Sequence, residues 1–74
     1  MNNAPATIAV TLTLTGAKVQ IHAGTELVAT IKDGNNLVPR ADRALKTHGI
    51  YRESGYSTVD GALTATARDL RGLV

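Results

Sequence analysis

The stretch TIAVTLTLTGAKVQIHA, residues 7–23, decides the first half of the fold. Apolar and polar side chains alternate strictly on both sides of Gly16-Ala17, which is typical of half-buried strands. A Gly-X pair also suits a two-residue type II′ hairpin turn, because the first central position of that turn needs a positive φ. Pairing across the turn puts Leu12 opposite Ile21, and every other cross-strand pair matches in polarity. The sequence therefore predicts a β-hairpin with one apolar face.

A third strand is predicted to extend this hairpin into a meander. Residues 24–26, Gly-Thr-Glu, are interpreted as a three-residue loop, because that length sets Ile21 opposite Ala29 and keeps the apolar residues on one face. The strand ends at Lys32, since the Asp-Gly-Asn-Asn segment that follows is a strong turn signal. Residues 7–32 should thus form a three-stranded antiparallel meander whose apolar face must be covered.

Two helices are predicted to follow the meander. Pro39 suits a first helical turn, and this short helix is stopped by Gly49. A second helix is predicted from Ser57, which would cap it, because apolar residues recur at spacings of three and four from there to the C-terminus. Residues 50–56 are interpreted as the connector. The predicted fold is α+β: a three-stranded antiparallel β-meander followed by two helices packed on one sheet face, in the order β-β-β-α-α.

Length and composition indicate one small domain. The chain has 74 residues, no cysteine, no phenylalanine and no tryptophan, so its core is thin and poor in aromatic rings. We expect residues 1–6 to be a disordered lead-in, residues 7–32 to form the meander and residues 38–74 to form the helical half. A thin core together with an exposed strand edge favours a homodimer. No apolar run is long enough to span a bilayer and no signal peptide is recognisable, so we expect a cytoplasmic protein without a membrane partner.

The sequence carries no catalytic or metal-binding motif. Its two histidines stand 26 positions apart without cysteine or an HExxH pattern, and no glycine-rich phosphate loop is present. A Ser-His-Asp set can be assembled from Ser54 or Ser57 with His48 and Asp60, but no nucleophile elbow frames either serine. We therefore expect no metal, no cofactor and no enzymatic activity.

The densest basic segment runs from residue 40 to residue 52 and carries a net charge of +3. Its cations are Arg40, Arg43, Lys46 and Arg52. The first three recur every three residues on the predicted helix, so they stay near one helical face, as a stripe that contacts phosphates would. The order of helix, connector and helix is also the outline of a helix-turn-helix. An ordinary solvated helix face shows the same pattern of charge.

Both aromatic residues, Tyr51 and Tyr56, fall in the predicted connector on either side of Arg52. Tyrosine and arginine are among the residues most enriched at the hot spots of protein interfaces. The competing interpretation is that one ring turns inward and fills a core that has no other aromatic residue.

The second face of the predicted sheet is rich in threonine and contains no acid. It lacks the aromatic rings on which sheet-based single-strand binders stack bases, so RNA recognition by this face is disfavoured. Its polar and basic members are Thr7, Thr11, Thr13, Thr15, Lys18, Gln20, His22, Thr30 and Lys32.

Two functions follow from these surfaces. The leading prediction is a non-catalytic module that binds another protein, as small inhibitors, regulators and accessory factors do, through Tyr51, Arg52 and Tyr56. The alternative is a regulator that binds nucleic acid through the basic segment 40–52.

Overall fold

The computed structural model describes residues 6–71, which form an antiparallel sheet of six strands and one helix. The elements are β1 (Ala6–Thr15), β2 (Lys18–Ala23), β3 (Glu26–Lys32), α1 (Leu37–Thr47), β4 (Ile50–Arg52), β5 (Ser57–Val59) and β6 (Ala62–Asp69). The strands lie in the order β3-β2-β1-β6-β4, and β5 pairs with β6 on the side where β4 lies. The sheet curls into a half-barrel, and α1 packs against β3 and β4 on its concave side.

The first hairpin has the predicted register. Leu12 lies opposite Ile21, and Thr15 lies opposite Lys18. Gly16 has a φ of 63°, the positive value that the first turn position requires. The alternation of apolar and polar residues therefore predicts this part of the fold down to single residue pairs.

The turn between β2 and β3 is shorter than predicted. The strands are joined by the two residues Gly24-Thr25, with a φ of 62° at Gly24, and the three-residue loop is wrong. Ile21 still lies opposite Ala29, because the register shifts at a bulge directly after Ile21. The bulge lets the glycine occupy the first position of a tight turn while the core residues beyond it keep their partners.

The core lies between the concave sheet face and α1. Its buried members are Val10, Leu12, Val19, Ile21, Ala23, Ala41, Leu45, Ile50 and Ala67. The first predicted helix is confirmed, and it contributes Ala41 and Leu45, both of which are fully buried. Gly49 follows the helix with a φ of 76°, a conformation that favours glycine after a helix end.

The second predicted helix is wrong, and with it the α+β arrangement of three strands and two helices. Residues 57–69 form the hairpin β5-β6, which turns at Asp60-Gly61 with φ values of 52° and 79°. Positive φ at both positions defines a type I′ turn, for which Asp-Gly is a preferred pair. Along β6 the alternate residues Ala65 and Ala67 are buried, as a strand requires. Because alanine counts as apolar in either periodicity, the same residues also match a helical spacing.

Three further expectations change with this correction. Residues 38–74 are not a helical half: beyond α1 the described chain is strand and loop, and residues 72–74 lie outside the described part. The expected connector 50–56 contains β4. Ala6, expected in the disordered lead-in, is the first residue of β1. The rest of the expected lead-in, residues 1–5, lies outside the described residues. Within residues 6–71 no helix has the length and apolar character needed to cross a membrane.

Candidate functional site

Strand β4 puts two of the predicted site residues on opposite faces of the sheet. Tyr51 lies opposite Arg68, and Arg52 lies opposite the buried Ala67. Because successive side chains of a strand alternate between faces, Arg52 faces α1 and Tyr51 faces away from it. We call the face turned away from α1 the outer face; besides Tyr51 and Arg68 it carries Thr7, Thr11, Thr13, Gln20, Thr30, Thr64 and Thr66. Tyr51 and Arg52 therefore do not form one flat contact surface.

Arg52 is fixed by α1 and by the loop after β4. Its Nε and Nη2 atoms each donate to one carboxylate oxygen of Asp42 at 2.9 Å, and Nη1 donates to the carbonyl oxygen of Ser54 at 2.6 Å. The hydrogen bond to Asp42 raises the pKa of Arg52, so the guanidinium stays charged. These contacts use three of the five N–H donors of the Arg52 side chain, which is 23% exposed.

Tyr56 lies beneath Arg52 and supports it. The guanidinium carbon of Arg52 is 4.8 Å from the centre of the Tyr56 ring, a cation–π distance. The half-buried ring also packs against the core, and burial raises the pKa of Tyr56. No group in residues 6–71 hydrogen-bonds its hydroxyl. Tyr56 thus belongs to the interior side of this site, as the competing interpretation of the sequence predicts for one tyrosine.

Arg40 is a structural clamp and not part of an outward stripe. Its Nε donates to the carbonyl oxygen of Asn35 at 2.9 Å, and its Nη1 donates to that of Lys32 at 2.6 Å. At about 3.6 residues per turn, Arg40 and Lys46 point roughly 120° apart around the helix axis. The expectation that all three helical cations share one face is therefore wrong for Arg40, which turns toward the end of β3.

Arg43 and Lys46 remain on the outward side of α1. Both are exposed, and neither forms an ion pair within the part of the chain that the structure describes. They border a shallow groove of about 460 Å³ between α1 and β4, which we call the helix groove. The helix groove is lined by Val38, Pro39, Asp42, Arg43, Lys46 and Arg52. Its one carboxylate, Asp42, is already bound by Arg52.

A second groove, which we call the outer groove, lies on the other side of β4. It has a volume of about 410 Å³ and is lined by Tyr51, Arg52, Glu53, Arg68 and Leu70. The Nε atom of Arg68 donates to Glu53 at 2.6 Å, so the one acid of this groove is paired as well. Tyr51 is 43% exposed here. Because Arg52 lines both grooves, they meet at this residue.

The residues considered for catalysis do not come together. His48 caps the C-terminal end of α1, and Asp60 lies in the β5-β6 turn, at the opposite end of β6. The hydroxyl of Ser54 accepts a hydrogen bond from the backbone N–H of Thr66 at 2.9 Å. Among residues 6–71 no three histidine, aspartate or glutamate side chains are placed to hold a metal ion.

Asp42 and the two grooves are the parts of this site that sequence reasoning missed. Asp42 stands ten residues from Arg52, and no local pattern links the two because the chain must first form α1 and β4. No family model, curated protein or solved structure matches the chain. The function must therefore be argued from the geometry of the two grooves.

Proposed function

We propose that this protein is a non-catalytic module that binds nucleic acid, with phosphates held in the helix groove by Arg43, Lys46 and Arg52. The observation that carries the proposal is how the charges are paired. Both acids that line the two grooves, Asp42 and Glu53, are bound by arginines, whereas Arg43 and Lys46 are exposed and have no acidic partner among the described residues. An anion entering this side of the molecule meets cations and no free carboxylate.

The spacing of the cations suits a phosphate backbone. Arg43 and Lys46 are three residues apart on α1, which separates them by about 4.5 Å along the helix axis. Side chains at this spacing are neighbours on the helix surface, so both can reach phosphates of one strand, which carries a negative charge on every nucleotide. Arg52 adds a guanidinium held in place by Asp42. With about three contacts, binding should be weak, insensitive to base sequence and sensitive to salt.

The protein-binding function stays a prediction. Its three residues are divided between the outer face, the helix groove and the interior, so they do not present the compact cluster that a hot spot needs. The exposed ring of Tyr51 is the observation that still favours it.

Fluorescence anisotropy with labelled oligonucleotides over a series of salt concentrations tests the proposal. The variant Arg43→Gln/Lys46→Gln removes two charges from the helix groove. The matched control Lys18→Gln/Lys32→Gln removes two charges from a directly opposed pair of lysines at the far edge of the outer face. Both variants have the same net charge, so any difference between them reports the position of the cations and not their number.

The expected result is a loss of affinity for the helix-groove variant and a smaller loss for the control. The slope of log K against log salt concentration should fall in magnitude by about 1.8 for duplex DNA, or about 1.4 for a single strand, because each lost phosphate contact releases fewer counterions. Equal weakening of both variants would place the binding surface elsewhere. Absence of binding to any oligonucleotide at low salt would refute the function itself.

A further inference from the structure

We infer that the ligand is a single-stranded nucleic acid that crosses the edge of β4, with its phosphates in the helix groove and one base stacked on Tyr51 in the outer groove. This inference rests on the proposed function and names the kind of nucleic acid. Its structural basis is the meeting of the two grooves at Arg52, which joins the cations of α1 to the aromatic ring on the outer face.

Tyr51 gives the outer face an aromatic ring, which the three strands predicted from the sequence lack, and it has the placement of a stacking platform. Its ring is 43% exposed, and its cross-strand neighbour on the same face is Arg68. Aromatic rings and guanidinium planes are the two kinds of side chain on which unpaired bases stack. Leu70 adds apolar surface to the same groove, and Glu53 is held by Arg68, so no free carboxylate opposes a nucleotide there.

The path between the grooves is short. Tyr51 and Arg52 are consecutive residues of β4, so their Cα atoms are about 3.8 Å apart while their side chains lie on opposite faces. β4 is the last strand in the sheet order and only three residues long. A flexible single-stranded nucleic acid can therefore bend over this edge, with a phosphate at Arg52 and the adjoining base at Tyr51.

A duplex does not satisfy this geometry. Its bases are paired and stacked inside the double helix, so Tyr51 can meet a base face only in a single strand or at a frayed end. A duplex also resists a bend within a few base pairs. The two grooves together thus favour a single strand, whereas the helix groove alone would accept either form.

The intrinsic fluorescence of tyrosine gives a direct test. The chain has two tyrosines and no tryptophan, so the variant Tyr56→Phe leaves Tyr51 as its only tyrosine. Titration with a short oligothymidylate should quench this fluorescence, because a base stacked on the ring is in direct contact with the fluorophore. An abasic oligomer of the same length and charge should leave most of it unquenched.

Affinity measurements on two further variants complete the test. Tyr51→Ala should bind oligothymidylate about 5- to 150-fold more weakly, the loss expected for one stacked base, and should bind the abasic oligomer as the wild type does. Tyr51→Phe keeps the ring and should bind like the wild type. The melting temperature of each variant, measured alongside, shows whether a loss of binding comes from unfolding.

The outcomes separate the inference from the proposed function. Three results would overturn the single-strand inference: Tyr51→Ala binds oligothymidylate as tightly as the wild type, the abasic oligomer quenches the fluorescence as strongly as oligothymidylate, or Tyr51→Ala loses as much affinity for a duplex as for a single strand. The proposed function would still stand in each of these cases if Arg43→Gln/Lys46→Gln weakened binding more than its control. A wild-type protein that bound neither oligonucleotide would overturn both.

Discussion

Replacing Gly61 with alanine should destabilise the protein, whereas the same replacement at Gly55 should not. An added Cβ atom would have no neighbour within 4 Å at either position, so packing does not distinguish the two changes. The backbone does, because Gly61 has a φ of 79° in the β5-β6 turn and Gly55 lies outside the positive-φ region. The pair of variants therefore isolates the conformational requirement of the turn.

The magnitudes follow from two opposing effects. A left-handed conformation costs an L-residue about 1–2 kcal/mol, and alanine in place of glycine stabilises by about 0.4–1 kcal/mol through the unfolded chain. Gly61→Ala should thus lower the free energy of unfolding by about 0–1.6 kcal/mol, and Gly55→Ala should raise it by about 0.4–1 kcal/mol, so the two variants should differ by about 1–2 kcal/mol. For a domain of this size the two melting temperatures should differ by roughly 4–16 °C.

Thermal denaturation followed by circular dichroism measures this difference, provided that the transition is reversible and two-state. The sign of the change at Gly61 is informative, because in a helix over the same residues Gly→Ala would stabilise the protein by about 1 kcal/mol. If Gly61→Ala raised the melting temperature as much as Gly55→Ala, the type I′ hairpin would be refuted.

Three other perturbations test the core and the paired charges. Leu45→Ala should lower the free energy of unfolding, measured by urea denaturation, by about 2.7–5 kcal/mol because Leu45 is fully buried. The control Leu45→Met should lower it by less than about 1.5 kcal/mol, and a similarly small loss for Leu45→Ala would contradict the packing of α1. Tyr56→Phe should leave stability unchanged or raise it by about 1 kcal/mol, because it removes a buried hydroxyl that the described residues leave without a partner. Because burial raises the pKa of Tyr56, wild-type stability should fall as the pH rises above the ordinary tyrosine value of about 10, and this part of the fall should be absent in Tyr56→Phe. Hydrogen bonds from the side chain and backbone of Arg71 lower the pKa of Asp69 below its ordinary 3.8, so their stabilisation is present above that pH and is lost as the pH falls through the lowered value. Carboxyl NMR titration of Arg71→Ala should show the pKa of Asp69 moving upward, and an unchanged value would contradict the side-chain contact.

The parts of the fold that the sequence predicts are those set by neighbours along the chain. The register of β1 and β2 follows from strict alternation around one Gly-X turn, and α1 follows from Pro39, a short apolar stripe and Gly49. In β6, alanine fits both a strand and a helix, so periodicity does not decide between them. Asp60-Gly61 was the available signal, because this pair between β-forming residues favours a hairpin. The helical interpretation takes Ser57 as an N-cap and Asp60 as a carboxylate of the first turn, and it therefore misses this turn.

The candidate site is less predictable because its key contacts join distant segments. In the sequence Arg40, Arg43 and Arg52 are equivalent positive charges. In the folded chain Arg40 donates to the carbonyl oxygen of Lys32 and Arg52 binds Asp42, whereas Arg43 is exposed and has no ion pair within residues 6–71. The sequence also does not predict which way the tyrosine side chains point, for a related reason. Once residues 50–52 become a strand of the sheet, alternation sends Tyr51 outward and Arg52 inward.

The threonines of the outer face have a structural explanation, so the case for a ligand on this face depends on the neighbours of Tyr51. Residues 6–71 form one helix, which covers one sheet face, so the other face must be built from residues that favour strands and tolerate water. Threonine meets both needs, which means that its abundance there is not evidence of a ligand. Exposure alone does not set Tyr51 apart, because tyrosine also favours strands and Leu27 and Val59 on the same face are 48% and 51% exposed. What distinguishes Tyr51 is an aromatic ring beside Arg68 in a groove that meets the cations of α1, and a base stacked there would use all of these groups.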